Sequence, residues 1–170
     1  MGMRKAWLLA ASAATLVAGC SGNTEDTPPD AAPATTAAAT AAPADAPAAA
    51  APTADSTDTV DGTTLASLTP NAANGKVVFL QCKTCHVLEP GQNRIGPSLA
   101  GIVGRAAGTV EGFSYTPANA NSGITWTEEK LFQYLENPQR VVPGTKMAFA
   151  GLSKAQDRAD VIAYLKAPTE

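Results

Sequence analysis

Cys82-Lys83-Thr84-Cys85-His86 constrains this chain more than anything else in it. Two thiols three positions apart can bond the two vinyl groups of one porphyrin, and the next residue then offers an imidazole nitrogen to the iron. A chain with this motif is expected to fold around a covalently held haem c, one per chain. The position of the second axial ligand follows from a count. His86 is the only histidine, and the methionines are Met1, Met3 and Met147. A second histidine on the iron is therefore excluded within one chain, which leaves Met147 as the one good soft donor. A His/Met pair raises the potential of a haem iron.

Three other uses of the motif fit less well. A structural zinc site wants four Cys/His ligands, whereas the chain has three Cys and one His, and Cys20 has another expected fate. A thioredoxin-like redox pair wants a low-pKa thiolate at a helix start within a βαβ pattern, and no strand pattern surrounds Cys82. A structural disulfide would close a strained, very short loop and leave His86 without a role.

The chain starts with Arg4 and Lys5, an apolar run from Ala6 to Ala18, and Gly19-Cys20. A charged start, a short apolar core and small residues before a cut mark residues 1–19 as a lipoprotein signal peptide. Roughly thirteen residues are too few to span a bilayer, which takes about 20. Leu16-Val17-Ala18-Gly19-Cys20 resembles a bacterial lipobox, so Cys20 is the expected lipidation site and the membrane an expected partner. Several acyl chains on one residue hold durably, where one chain binds only marginally. Residues 20–70 then read as a disordered Ala/Pro-rich linker, because Ala, Pro, Thr and Asp offer too little apolar surface to offset the entropy of ordering. Its seven acidic residues meet no basic ones. As a flexible coil it would average about 40 Å end to end.

Residues 71–170 form the expected globular head. It holds ten Lys/Arg and eight Asp/Glu, a net +2, which supplies no argument for nucleic acid binding. So small and loop-rich a polypeptide makes a thin core alone, so cofactor attachment and folding are expected to be coupled. Sustained period-2 alternation is missing, and the fold class is all-α. One helix is expected over about 72–82, with Gly75, Val78, Phe79 and Cys82 on one face. A second runs 128–136 from an N-cap at Thr127 to Asn137-Pro138. A third follows a Ser153/Gln156 capping box and ends near Ala167-Pro168. The stretch 87–126 reads as a long loop wrapped on the porphyrin.

Beyond the haem motif, the chain carries Gly96-Pro97-Ser98-Leu99, Gly104-Arg105, Gly112-Phe113-Ser114-Tyr115-Thr116 and Gly123-Ile124-Thr125-Trp126. It continues with Tyr134-Leu135-Glu136-Asn137-Pro138 and Pro143-Gly144-Thr145-Lys146-Met147. Over nearly all of 74–167 it resembles class I cytochrome c, the mitochondrial type with its bacterial membrane-anchored relatives. The resemblance implies a small all-α fold whose first and last helices cross near Gly75, Phe79, Val161 and Tyr164. It also implies that Pro97 presents its carbonyl to the free ring nitrogen of His86, fixing its tautomer. Tyr115 and Trp126 are expected to donate to a buried propionate, with Arg105 compensating its charge. Tyr134, Asn119 and Thr145 are expected around the Met147 sulfur, with Phe149 covering that side. The cations expected at the haem edge are Lys146 and Arg140, with Gln81 and Gln139 where others might stand.

The function implied is that of a monomeric one-electron carrier, not an enzyme, at the periplasmic face of a bacterial membrane, the inner one favoured. Quinol–cytochrome c reductase and a haem-copper terminal oxidase are the implied redox partners. The alternative is a haem peroxidase or ligand sensor in which Met147 dissociates.

Overall fold

The computed structural model describes residues 50–168. The expected signal peptide at 1–19, Cys20 and most of the expected linker lie outside the described residues. Among the described residues no helix is long and apolar enough to cross a membrane.

Five helices carry the head: α1 (Ala72–Val78), α2 (Pro117–Ala120), α3 (Glu128–Glu136), α4 (Pro138–Val141) and α5 (Ala155–Lys166). No strand forms among the described residues, only an isolated bridge between Ala106 and Thr125. The chain belongs to the all-α class as expected. Each short helix starts where a side chain satisfies its free amides. Asn71 accepts from the amides of Ala73 and Asn74, Thr116 from Asn119, Thr127 from Lys130, and Asn137 from Arg140. Asn137-Pro138 ends α3 but does not end helical structure. Pro138 opens α4, since a first helical turn needs no amide from proline. The first helix is shorter than the spacing suggested and tightens into a 3-10 turn, Phe79–Gln81, that leads into the Cys82 motif. The expected Ser153/Gln156 capping box does not form. Lys154 is the N-cap, without a side-chain bond, and the Gln156 amide is drawn instead to the Thr69 carbonyl and to Asp160.

Helices α1 and α5 cross where Gly75 leaves room. A Cβ built there would lie 2.5 Å from the Asp160 carbonyl carbon and 2.9 Å from Tyr164 Cβ. The crossing is further fixed by Phe79 on Tyr164, rings 5.4 Å apart, and by Asp160, which accepts from the Asn71 amide and the Asn74 side chain at 2.7 Å each. Phe132, Val161, Ile162 and Leu165 complete this core.

Residues 51–70 correct the expectation of disorder up to residue 70. They form an ordered arm laid along α3, α4 and α5. The reasons are both apolar and polar: Ala54, Leu65 and Leu68 pack against the core, and the arm's own carbonyls meet donors that would otherwise be buried without partners. Lys130, only 2% exposed, donates to the carbonyls of Thr53 (3.0 Å) and Ser56 (2.8 Å) and to Gln133 Oε1 (2.7 Å). Arg158, fully buried, pairs with Asp61 at 2.6 Å and lies 3.8 Å from Glu136. Burial alone would raise the Asp61 carboxyl. The hydrogen bond from Arg158, the Thr63 amide and the guanidinium charge outweigh it and hold the group at about 2.

Candidate functional site

The 3-10 turn Phe79–Gln81 turns the chain so that Cys82, Cys85 and His86 face one cavity of about 270 Å³. Every cofactor residue singled out from the sequence lines it: Cys82, Cys85, His86, Pro97, Arg105, Tyr115, Trp126 and Met147. Its remaining walls are mainly apolar, among them Leu99, Ile102, Leu131, Leu135, Phe149 and Val161.

The imidazole of His86 is held from two directions. Its Nδ1 lies 2.8 Å from the Pro97 carbonyl, an acceptor only, so Nδ1 carries the proton and Nε2 has its lone pair free. Gly96 packs on the ring's face, close enough that a Cβ would lie 2.7 Å from Nδ1 and 2.8 Å from Nε2. The loop bearing both residues is pinned to the motif by the Gly96 amide on the Cys85 carbonyl (2.8 Å) and Leu99 on Val87 (2.9 Å). Burial lowers the His86 pKa, partly opposed by the Pro97 bond, which keeps the ring neutral. Burial pushes the Cys82 thiol up to about 11, the opposite of the low-pKa thiolate that a disulfide-exchange pair needs. Among the described residues no three His, Cys, Asp or Glu side chains gather as a metal cluster, so the zinc alternative has no site there.

Met147 is positioned by its neighbours. Tyr134 donates its hydroxyl to the sulfur at 3.3 Å, the Met147 amide donates to Thr145 Oγ1 at 3.3 Å, and Gln139 reaches the Thr145 carbonyl at 3.0 Å. Tyr134 stacks on Trp126, ring centroids 4.7 Å apart. Arg105 donates to the carbonyls of Ala100 (2.8 Å) and Ser98 (2.9 Å), which fixes its guanidinium on the cavity wall beside Tyr115.

The two cations expected at the edge are less free than the sequence suggested. Arg140 is bound to the Asp58 carbonyl at 2.8 Å and lies 3.6 Å from Glu136. Lys146 sits over the Phe113 ring, 4.5 Å from its centroid, and donates to the Ser114 carbonyl. Uncharged Gln81 and the largely exposed Ile95 stand at the cavity mouth instead. Sequence reasoning missed Lys130, Gln133 and Arg158 as buried anchors, since each looked like a solvent-facing polar position.

The cavity fits a haem c on its own observations. It is apolar-walled and has two thiols and an acceptor-ready imidazole on it.

The family model for cytochrome c matches residues 72–168. The chain belongs to the cytochrome c family. A cytochrome c of Gibberella zeae is 57% identical over 91 residues, which are 53% of this chain and 86% of the relative. A cytochrome c2 of Blastochloris viridis is 53% identical over 97 residues, 56% of this chain and 76% of the relative. The solved structure of cytochrome cH from Methylobacterium extorquens superposes with a TM-score of 0.55 at 44% identity, covering 56% of this chain and 97% of that one. Membership carries covalent haem c, one per Cys-x-x-Cys-His motif, and makes the chain an electron carrier with redox protein partners rather than an enzyme.

Proposed function

We propose that this chain is a lipid-tethered, single-haem electron carrier of a bacterial respiratory chain, working at the periplasmic face of a membrane. The observation that carries the site assignment is the pair of preset donors on one cavity, His86 locked by Pro97 and Met147 by Tyr134. When bound, the haem supplies a one-electron iron couple whose potential a His/Met pair raises.

The residues divide the remaining work. Cys82 and Cys85 would hold the cofactor covalently, and His86 Nε2 and the Met147 thioether would be the ligands of its iron. Pro97 raises the basicity of His86 by accepting a hydrogen bond from its Nδ1–H. Arg105, Tyr115 and Trp126 line the cavity and would match the charge of the cofactor's acidic groups inside an apolar wall. Leu99, Ile102, Leu131 and Phe149 exclude water. Ile95 and Gln81 leave the edge thinly charged, with Lys146 there engaged by Phe113 and Ser114, so long-range electrostatic steering of a partner is weak.

A tether offsets weak steering by keeping the effective concentration high. The signal at 1–19 and Cys20 in Leu16-Val17-Ala18-Gly19-Cys20 supply it. Residues 21–50, as a coil, would let the head move about 30 Å from its anchor. Quinol–cytochrome c reductase as donor and a haem-copper oxidase as acceptor match this placement, with the inner membrane favoured.

The test is a potentiometric and spectral titration of the holoprotein beside Met147→Ala. The parent should show the methionine–iron charge-transfer band. The variant should keep its haem, lose the band, fall in potential and bind added imidazole. Unchanged ligand binding in the variant would remove Met147 from the iron. For the tether, Cys20→Ser should release the head into the soluble fraction, and persistent membrane association would indicate a retained signal anchor.

A further inference from the structure

The arm and the buried cations beneath it take no part in holding the cofactor, yet they occupy the two ends of one segment. That segment is 143–151, which carries Met147 and contains no helix. Its own support is side-chain bonds and one turn: the Thr145 amide on the Val142 carbonyl, the Met147 amide on Thr145 Oγ1, the Gln139 side chain on the Thr145 and Met147 carbonyls, the Tyr134 hydroxyl on the Met147 sulfur, and Lys146 on the Ser114 carbonyl.

At the leading end, α4 has four residues and rests against the arm. Ala51, Pro52 and Ala54 share a cavity wall with Val141, Val142 and Pro143. Arg140 Nη2 donates to the Asp58 carbonyl at 2.8 Å. Glu136, one residue before the α3–α4 break, accepts the Val60 amide at 2.6 Å and the Asp61 amide at 3.0 Å. At the trailing end, Leu152 is fixed by its amide on the Leu135 carbonyl at 2.7 Å. Its own carbonyl accepts from Arg158 Nη1 at 2.9 Å. The same guanidinium holds Asp61 through Nη2 at 2.6 Å. One short stretch of arm, 58–61, therefore ties both ends of the Met147 segment through Arg140, Glu136 and Arg158. Lys130 seats the stretch just before it.

We propose that residues 51–61 are a built-in strap that keeps the Met147 segment closed, with Lys130, Arg140 and Arg158 as its positioning residues. The inference rests on the reading that Met147 is the sixth ligand. With the strap seated, segment 143–151 can open only by breaking charged hydrogen bonds at both ends. Loss of the seat leaves α4 a single unsupported turn, of the kind that opens most readily. The carrier thereby excludes foreign ligands by means of chain outside the family-matched region 72–168.

The test uses the full-length holoprotein and Lys130→Met, which removes all three Nζ bonds and keeps the buried stem. Ferric imidazole binding should speed up by about tenfold, equivalent to roughly 1.4 kcal/mol. Amide exchange at Thr145, Met147 and Leu152 should speed up by the same factor. The Gly96 and Leu99 amides on the His86 side should not change. Faster exchange at Val60 and Asp61 without faster exchange at Thr145 and Met147 overturns the strap. Native-state exchange of the parent alone gives a second measure that needs no variant. The Thr145 and Met147 amides should open no more readily than Val60 and Asp61, and opening of the segment beneath a protected arm overturns the proposal. A parent without the methionine–iron band would instead overturn the ligand reading, while the exchange pattern still decides whether the strap exists.

Discussion

Gly96→Ala is the sharpest perturbation of the His86 wall. Gly96 is buried and its backbone does not need a left-handed conformation, so alanine itself brings no backbone strain. The added Cβ would sit 2.7 Å from Nδ1, where ordinary contact begins near 3.4 Å, a deficit of about 0.7 Å. The Gly96 amide on Cys85 and the Leu99 amide on Val87 pin the loop, so the ring must yield. A ring pushed along its normal by that amount slides across its in-plane bond to Pro97, which keeps nearly its 2.8 Å length but bends away from linear and weakens. The weakened bond costs up to about 1 kcal/mol, and overpacking adds roughly 1–3 kcal/mol. The lower entropy of the unfolded alanine chain returns less than about 1 kcal/mol. The sum is about 2 kcal/mol, or roughly 8–16 °C in Tm for a domain of this size. Guanidinium unfolding of the holoprotein at the Soret band gives the stability, and nitrogen NMR of the His86 Nδ1 proton reports the bond. A loss under about 0.5 kcal/mol with that proton still protected would show that the ring is not clamped between Gly96 and Pro97.

Gly75→Ala should destabilise by about 3 kcal/mol, because the methyl meets the Asp160 backbone, which no rotamer change can clear; chemical denaturation with an unchanged slope checks it. Tyr134→Phe removes the one hydroxyl bonded to the Met147 sulfur, so the potential and the methionine–iron band should shift while haem content stays the same; identical spectra and potential would remove Tyr134 from that role. Asp61 has a folded pKa of about 2 against an ordinary 3.8, so its contribution is present above pH 4 and is lost as pH falls through 2. At a side chain about a third exposed, screening limits that contribution to about 1 kcal/mol. Arm protection in the parent should therefore fall across that window, and Asp61→Asn should flatten the fall.

The cofactor wall was legible because its chemistry is local or singular. Five consecutive residues name the haem, and a lone histidine with one internal methionine leaves no competing ligand set. Helix α3 was legible to the residue from Thr127 at its start and Asn137 at its end. Helices α2 and α4 were not, since four residues carry no period. Pro138 read as a stop although it is an accepted first residue. The arm was missed because main-chain carbonyls hold it, and a sequence does not display those acceptors. Its faint signature was spacing: Asp55, Asp58 and Asp61 recur every third residue in a segment otherwise without pattern. Lys130 and Gln133, three apart on α3, are the matching clue.

The arm's partners lie 74 to 97 residues further along the chain. During synthesis the arm emerges first and waits, since Lys130, Arg140 and Arg158 are among the last side chains to arrive. Long-range pairings of this kind close late. Fastening therefore waits on the last helix, which also brings Val161 and Leu165 to the cavity wall.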